Sequence, residues 1–187
     1  MNKQRFWHLM EQTHNDDTNV MLANLTQVFS ALPTEDAMLF RAYLTAYMEH
    51  VNDCIWVDMA CKVINGYVSD DTGLYFALWL IAQGEQSLHA ALQNPDCLSE
   101  LACIPFGNAA FEMLMTIGMD EDTNYEAMSS MMASCIEETS TAIVYKNDDK
   151  YGGYEDFEEA MEDIPAVLPN LTARAQQEGF DWRNFFG

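Results

Sequence analysis

The sequence predicts an all-α protein: a single-domain, multi-helix bundle with one central, mostly buried helix over about residues 71–83. Three observations lead there. Hydrophobic residues fill 49% of the 187 positions, too many for a disordered chain. Met is abundant at 13 while Pro and Gly stand at 5 and 9, a balance that favours helices over turn-rich sheets. Apolar side chains also recur three and four residues apart along most of the chain.

The elements follow in order. Phe6, Trp7 and Met10 share one side of a first helix from Asn2 to about Gln12. Asp16 or Asp17 caps a second helix to about Ala31, with the stripe Val20/Met21, Leu25, Val28/Phe29 and Leu32. "LPTEDAMLF" marks a third start. Thr34 reads as its N-cap, and Glu35 and Asp36 fall in the first turn, where the helix dipole favours acids. This helix continues, or breaks near Asn52-Asp53, into a piece holding Ile55, Trp56, Met59, Val63 and Ile64. Asn65-Gly66 is a stop of the C-cap type.

In "SDDTGLYFALWLIAQG", one of Ser69, Asp70 and Asp71 caps a helix whose run Leu74–Ala82 is uncharged, and Gly84 ends it. A helix with Leu88, Ala91 and Leu92 stops at Asn94-Pro95. After Pro105 a further helix is expected to hold Phe111, Leu114, Met115 and Ile117. "MDEDTN" reads as a loop and cap before a helix from about Tyr125 to Thr141, with Met128, Met131/Met132, Cys135 and Ile136 inward. Residues 146–153, with Gly-Gly, form a loop or hinge. The acidic C-terminal segment 154–187 keeps an inward stripe at Tyr154, Phe157, Met161 and Ile164. The whole chain, 1–187, reads as one helical domain.

Charge narrows the functions. Thirty acids against eight bases give a net charge of −22, and the pI is near 4.1. Such a field repels nucleic-acid phosphates and anionic lipid, so direct nucleic-acid or membrane binding is not expected. It suits solubility, a basic protein partner or divalent cations. The five cysteines form no CxxC, no zinc spacing and no paired framework. No stretch has signal-peptide or membrane-helix character, so a reduced, cytoplasmic protein is expected.

From Trp56 to Leu101 the chain resembles a bacterial family, the domain of unknown function 4240. The resemblance rests on Trp56, "INGYVSDD", the aromatic pair Tyr75-Phe76, "WLIAQG" and Asn94-Pro95-Asp96, with Phe6-Trp7 fitting the family's amino-terminal habit. Three positions depart: Thr72 and Gly73 stand where the family often has glycine then phenylalanine, and Ala77 where it often has arginine. The resemblance implies a helical domain and carries no chemistry. Any role pairing Asp70 or Asp71 with that arginine is absent here.

Each candidate site has a functional and a structural reading. Asp70-Asp71 as a carboxylate pair would hold a divalent ion or act as acid and base, with Asp58 or His50 as a helix neighbour. As a helix start, the same pair meets the positive end of the dipole, and that reading is preferred. Glu11-x-x-His14 is half of a di-iron signature that needs the motif twice. Cys54 and Cys61 share a helical face with no base beside them and read as packing. Trp56 and Trp79 read as core, or as the lining of an apolar pocket. "EDFEEAMED", with six acids in nine residues, reads as a solvated face or a docking face through Glu155, Asp156, Glu158 and Glu159.

No catalytic residue, metal ligand set or cofactor is assigned. The expected function is an acidic helical binding protein acting through protein–protein contacts with a basic partner. A toxin-neutralising immunity protein or a nucleic-acid mimic fits this description. The alternative is a metal-dependent hydrolase or a small-molecule-sensing domain with a site near Asp70 and Asp71.

Overall fold

The computed structural model of the chain describes residues 1–118 and 125–183. It is all-α, with no strand among the described residues. The expected loop and cap at 119–124 lie outside them. Helix α1 (Lys3–Thr13) starts where Asn2 accepts the Arg5 amide at 2.9 Å. Helix α2 (Thr18–Phe29) starts where Asp17 accepts the Asn19 amide at 2.9 Å. Each cap satisfies an amide that has no partner in its own helix.

Helix α3 (Thr34–Val51) corrects one expectation. Pro33, with extended backbone, is the N-cap, and no side chain caps the helix. Thr34 is already helical, because Pro33 pre-sets the φ that admits the chain one residue earlier. The acids do fall in the first turn as expected. Asp36 there takes an ion pair from the amino terminus and one from Arg5, the latter at 2.8 Å. Phe6, Trp7, Phe40, Tyr43 and Tyr47 form an aromatic cluster between α1 and α3, with ring centroids 4.7–5.9 Å apart. The Trp7 indole N–H donates to the Tyr47 hydroxyl at 2.8 Å, so neither buried polar tip is left unpaired.

The chain does break at Asn52-Asp53. Asp53 sits in the left-handed region at φ 56°, and helix α4 (Ile55–Asn65) starts behind it. Gly66 ends α4 at φ 85°, a position where a Cβ would be strained. Helix α5 (Asp70–Ala82) then begins at a full capping box. Ser69 and Thr72 satisfy each other's amides, and Asp70 and Asp71 occupy the first turn as dipole partners. Phe76 to Ala82 are all buried, so α5 is the apolar helix of the core, hydrophobic on every side from its second turn onward. Helix α6 (Glu85–Gln93) and a 3₁₀ turn, Pro95–Glu100, follow.

The helix expected across Phe111–Ile117 is instead a 3₁₀ turn, Glu112–Thr116. The residues before it direct their backbone elsewhere. Gly107 N–H donates to the Ile64 carbonyl at 2.8 Å and Phe111 N–H to the Tyr75 carbonyl at 3.0 Å. The Asn65 amide bridges both groups of Ala109 at 2.8 and 3.0 Å. Amides used this way cannot build an i→i−4 ladder.

Helix α7 (Tyr125–Ser140) packs along α3. Between them Tyr43 donates to Glu138 at 2.7 Å, and His50 Nε2 meets Thr139 Oγ1 at 3.0 Å. Burial lowers the His50 pKa. A 3₁₀ turn at Lys146–Asp148 leads to α8 (Phe157–Glu162), α9 (Ile164–Val167) and α10 (Pro169–Gln177). The stripe expected along this segment is only partly inward: Ile164, at the start of α9, is fully buried, but Phe157 in α8 is 44% exposed. Asp96 joins α10 to the core. Its carboxylate accepts the Leu171 amide at 2.8 Å and the Asn170 amide at 3.2 Å. Arg174 clasps the Leu101 carbonyl and, at 2.7 Å, the Ser99 carbonyl.

All five cysteines are free thiols. Burial pushes Cys54 and Cys135 up to about 11 and Cys61 up to about 12. No helix among the described residues is long and apolar enough to cross a membrane.

Candidate functional site: an acidic cleft at two helix starts

The break after α3 and the turn before α5 place two helix N-termini side by side. Between them lies a cleft of about 280 Å³. Asn52 and Asp53 line it from the α3–α4 corner, Asp58 from the first turn of α4, and Ser69 and Asp70 from the start of α5. Val68, Gly73 and the exposed ring of Phe157 complete the wall. Gly73 matters as missing volume: a Cβ there would lie 3.3 Å from Asp58 Oδ1. The bare backbone of α5 therefore lets the Asp58 carboxyl fit against it.

Asp58 is the electrostatic centre. Burial pushes its carboxyl up to about 6, and the charges of Asp53 and Asp70 push the same way, opposed by Lys150. Among the described residues no hydrogen bond or ion pair acts on the Asp58 carboxyl, whose own backbone amide donates to the Cys54 carbonyl at 3.0 Å. Asp53 is tethered by the Asn52 side-chain amide at 3.1 Å. Asp53, Asp58 and Asp70 thus line one concave site.

The sequence candidates divide around this site. Asp70 lines the cleft, and Asp58, expected only as a helix neighbour, lines it too. Asp71 is exposed, one residue on, and is not a lining residue. His50 faces α7 and is not part of the site. Trp56 and Trp79 are buried at 1% and 3% exposure. Trp56 gives its indole N–H to the Asp149 carbonyl at 2.7 Å, and Trp79 stacks at a tilt on Phe76. Glu155, Asp156, Glu158 and Glu159 are all exposed on or beside α8. Two of them serve their own helix: Asp156 accepts the Glu159 amide at 2.9 Å, and Glu159 accepts the Glu155 amide at 2.7 Å. Among the described residues no three His, Cys, Asp or Glu gather in an arrangement that could hold a metal ion.

The sequence places Asp53 at the break after α3 and Phe157 on an inward stripe, and neither in this cleft. Asp53 carried one signal, since Asp and Asn are enriched in the left-handed corner that ends α3. Phe157 carried a misleading one, an apolar residue at inward spacing.

No curated protein and no solved structure matches the chain. One family model does, over residues 1–134, which include every cleft residue except Phe157. Its description is "Protein of unknown function (DUF4240)", and the match spans most of the chain, the Trp56-to-Leu101 stretch included; the chain belongs to the DUF4240 family.

Proposed function

We propose that this protein is an acidic helical binding domain that engages a basic protein partner, with the Asp53–Asp58–Asp70 cleft receiving a lysine or arginine of that partner. The observation that carries the reading is the Asp58 carboxyl, crowded by Asp53 and Asp70 and paired with no cation. A guanidinium or ammonium entering the cleft would relieve that repulsion and lower the Asp58 pKa, so binding energy and deprotonation are linked. The exposed Phe157 ring offers a face for the same cation. The net charge of −22 supports long-range steering of such a partner, and the exposed acids of α8 extend the field. Neutralising a basic toxin, or covering the basic face of a nucleic-acid-binding protein, are the two roles this surface fits.

The test is binding of a lysine-rich peptide followed by calorimetry at low and moderate salt. Affinity should fall with salt, fall again as pH drops through about 6, and drop on Asp53→Asn/Asp58→Asn. Equal affinity in wild type and the double variant would remove the cleft from the interface. A second reading rests on the same carboxyl. A proton held to about 6 beside two acidic neighbours suits acid–base chemistry on a small molecule. A melting shift from a neutral ligand, lost in Asp58→Asn, would favour it over protein docking.

A further inference from the structure

Helix α2 is the odd element of an acidic chain. Residues 18–34 contain no Asp, Glu, Lys, Arg or His, although charged residues make up 20% of the whole. Of the twelve residues of α2 only Met21 and Leu25 are buried, and the helix packs chiefly on α1. An exposed helix in a protein with a net charge of −22 has every opportunity to carry acids. Its outward face is instead Val20, Ala23, Gln27 and then Ala31, at helical spacing, with Val20 43% exposed.

The helix stands as a ridge between two hollows. On one side a groove of about 570 Å³ separates it from the 3₁₀ turn Glu112–Thr116, with Leu22, Phe29, Leu32, Met113 and Ile117 in its wall. On the other a hollow of about 550 Å³ opens toward the end of α1, lined by Gln12, Thr13, Asn24, Gln27 and Val28. No residue lining either hollow is charged, whereas three carboxylates line the acidic cleft. The polar groups here are already committed. Thr26, Ser30 and Thr116 each donate a hydroxyl proton to a carbonyl of their own turn at 2.7–2.8 Å, and the Asn24 amide donates to the Thr13 carbonyl at 3.3 Å. Covering the face therefore leaves none of these donors orphaned. Exposed acids flank it in sequence, Glu35 beside Thr34 and Glu112 beside Met113, as in the polar rim of an interface.

A surface free of charge, with methionine and phenylalanine in its hollow, has the composition of the core of a protein–protein contact. A basic partner gains nothing from it, because no acid is there to pair. The fitting occupant is itself an uncharged helix, and α2 is the helix of eight or more residues in this chain that has no charged side chain. We infer that α2 and its flanking hollows are the contact face for a second copy of this chain, the ridge of each copy seated in a hollow of the other. Ridge and hollow lie on one face, so the contact is isologous and closes at a dimer. It is also the face on which two chains of charge −22 meet with least repulsion. The acidic cleft takes no part in it.

The test is sedimentation equilibrium of the full chain over a range of concentrations at low and high salt. A dimer should form and tighten as salt rises, because screening weakens the repulsion and spares the apolar contact. Docking of a lysine-rich peptide in the cleft has the opposite salt dependence. Val20→Asp, Val20→Lys and Ala23→Glu should each weaken the dimer about tenfold or more, since an isologous contact buries the new charge twice. Val20→Lys brings the net charge nearer zero, so its weakening cannot come from bulk repulsion. Gln177→Glu, which adds one negative charge at an exposed position of α10, should leave the dimer unchanged. Val20 and Ala23 are exposed, so far-UV circular dichroism of the variants should match wild type. A chain that is monomeric at every concentration and salt overturns the inference. A dimer that none of the α2 variants weakens, or that Gln177→Glu weakens equally, overturns it as well. Peptide binding at the cleft is measured separately and stands or falls on its own.

Discussion

Replacing Asp96 by alanine should detach α10 from the core. The carboxylate is 7% exposed and holds three hydrogen bonds across more than seventy residues of sequence. Two of them satisfy the Asn170 and Leu171 amides at the start of α10, and the third holds the Asn170 side chain at 2.7 Å. An N-cap alone stabilises by about 1–2 kcal/mol. Charge-assisted bonds in a buried setting raise that, and the orphaned Leu171 amide adds a desolvation cost, so the loss is about 2–4 kcal/mol. For a chain of this size that lowers the melting temperature by about 5–15 °C. Asp96→Asn keeps one acceptor and should fall roughly halfway. Circular dichroism against temperature reads the shift, and hydrogen exchange at 170–172 reads the local loss. A melting temperature within about 1 °C of wild type, with those amides still protected, would refute the capping argument.

Other outcomes follow from the same geometry. The folded Asp58 carboxyl keeps its proton up to about 6, whereas an unfolded aspartate releases it near 3.8. The folded state therefore binds more protons between those values, and stability falls as pH rises through that window. Because Asp58 is partly solvated, the loss is about 1–2 kcal/mol rather than the full shift. Asp58→Asn should flatten denaturant midpoints across pH 4–6 and raise them at neutral pH. Tyr47→Phe leaves the buried Trp7 indole without its acceptor and should cost about 1–3 kcal/mol in urea unfolding. Gly66→Ala forces a Cβ into the left-handed end of α4 and should cost about 1 kcal/mol by the same measurement.

The legible parts of the fold were those governed by neighbours in sequence. Asp17 at the start of α2, Gly66 at the end of α4 and the apolar run of α5 each follow from local chemistry. Ser69 won the cap over Asp70 and Asp71 because Thr72 completes a reciprocal box with it. What failed depended on distant partners. Phe111–Ile117 has helical spacing, but Ile64, Asn65 and Tyr75 take the preceding backbone groups. The site was half legible. Asp58 was expected beside Asp70 only as one of two helix neighbours. The contact at Gly73 that brings α5 against Asp58, and the turn that brings Asp53 in, are tertiary facts with no local signature. Phe157 misled because its helix sits at an edge, where inward spacing does not guarantee a neighbour to pack on.

The distribution of thiols gives the protein a chemical clock. Cys54, Cys61 and Cys135 are buried, and burial holds their protons well above the range in which thiolates react. Cys97 is half-buried and shifted in the same direction, while Cys103 lies exposed. A maleimide added to the native protein should therefore couple at Cys103 first, leaving a product with one label far from the packed interior. Cys97 follows as the Pro95–Glu100 turn loosens, and Cys54, Cys61 and Cys135 become available only as helices α4 and α7 open. The count of labelled sites per molecule then reports how far unfolding has gone, by mass alone.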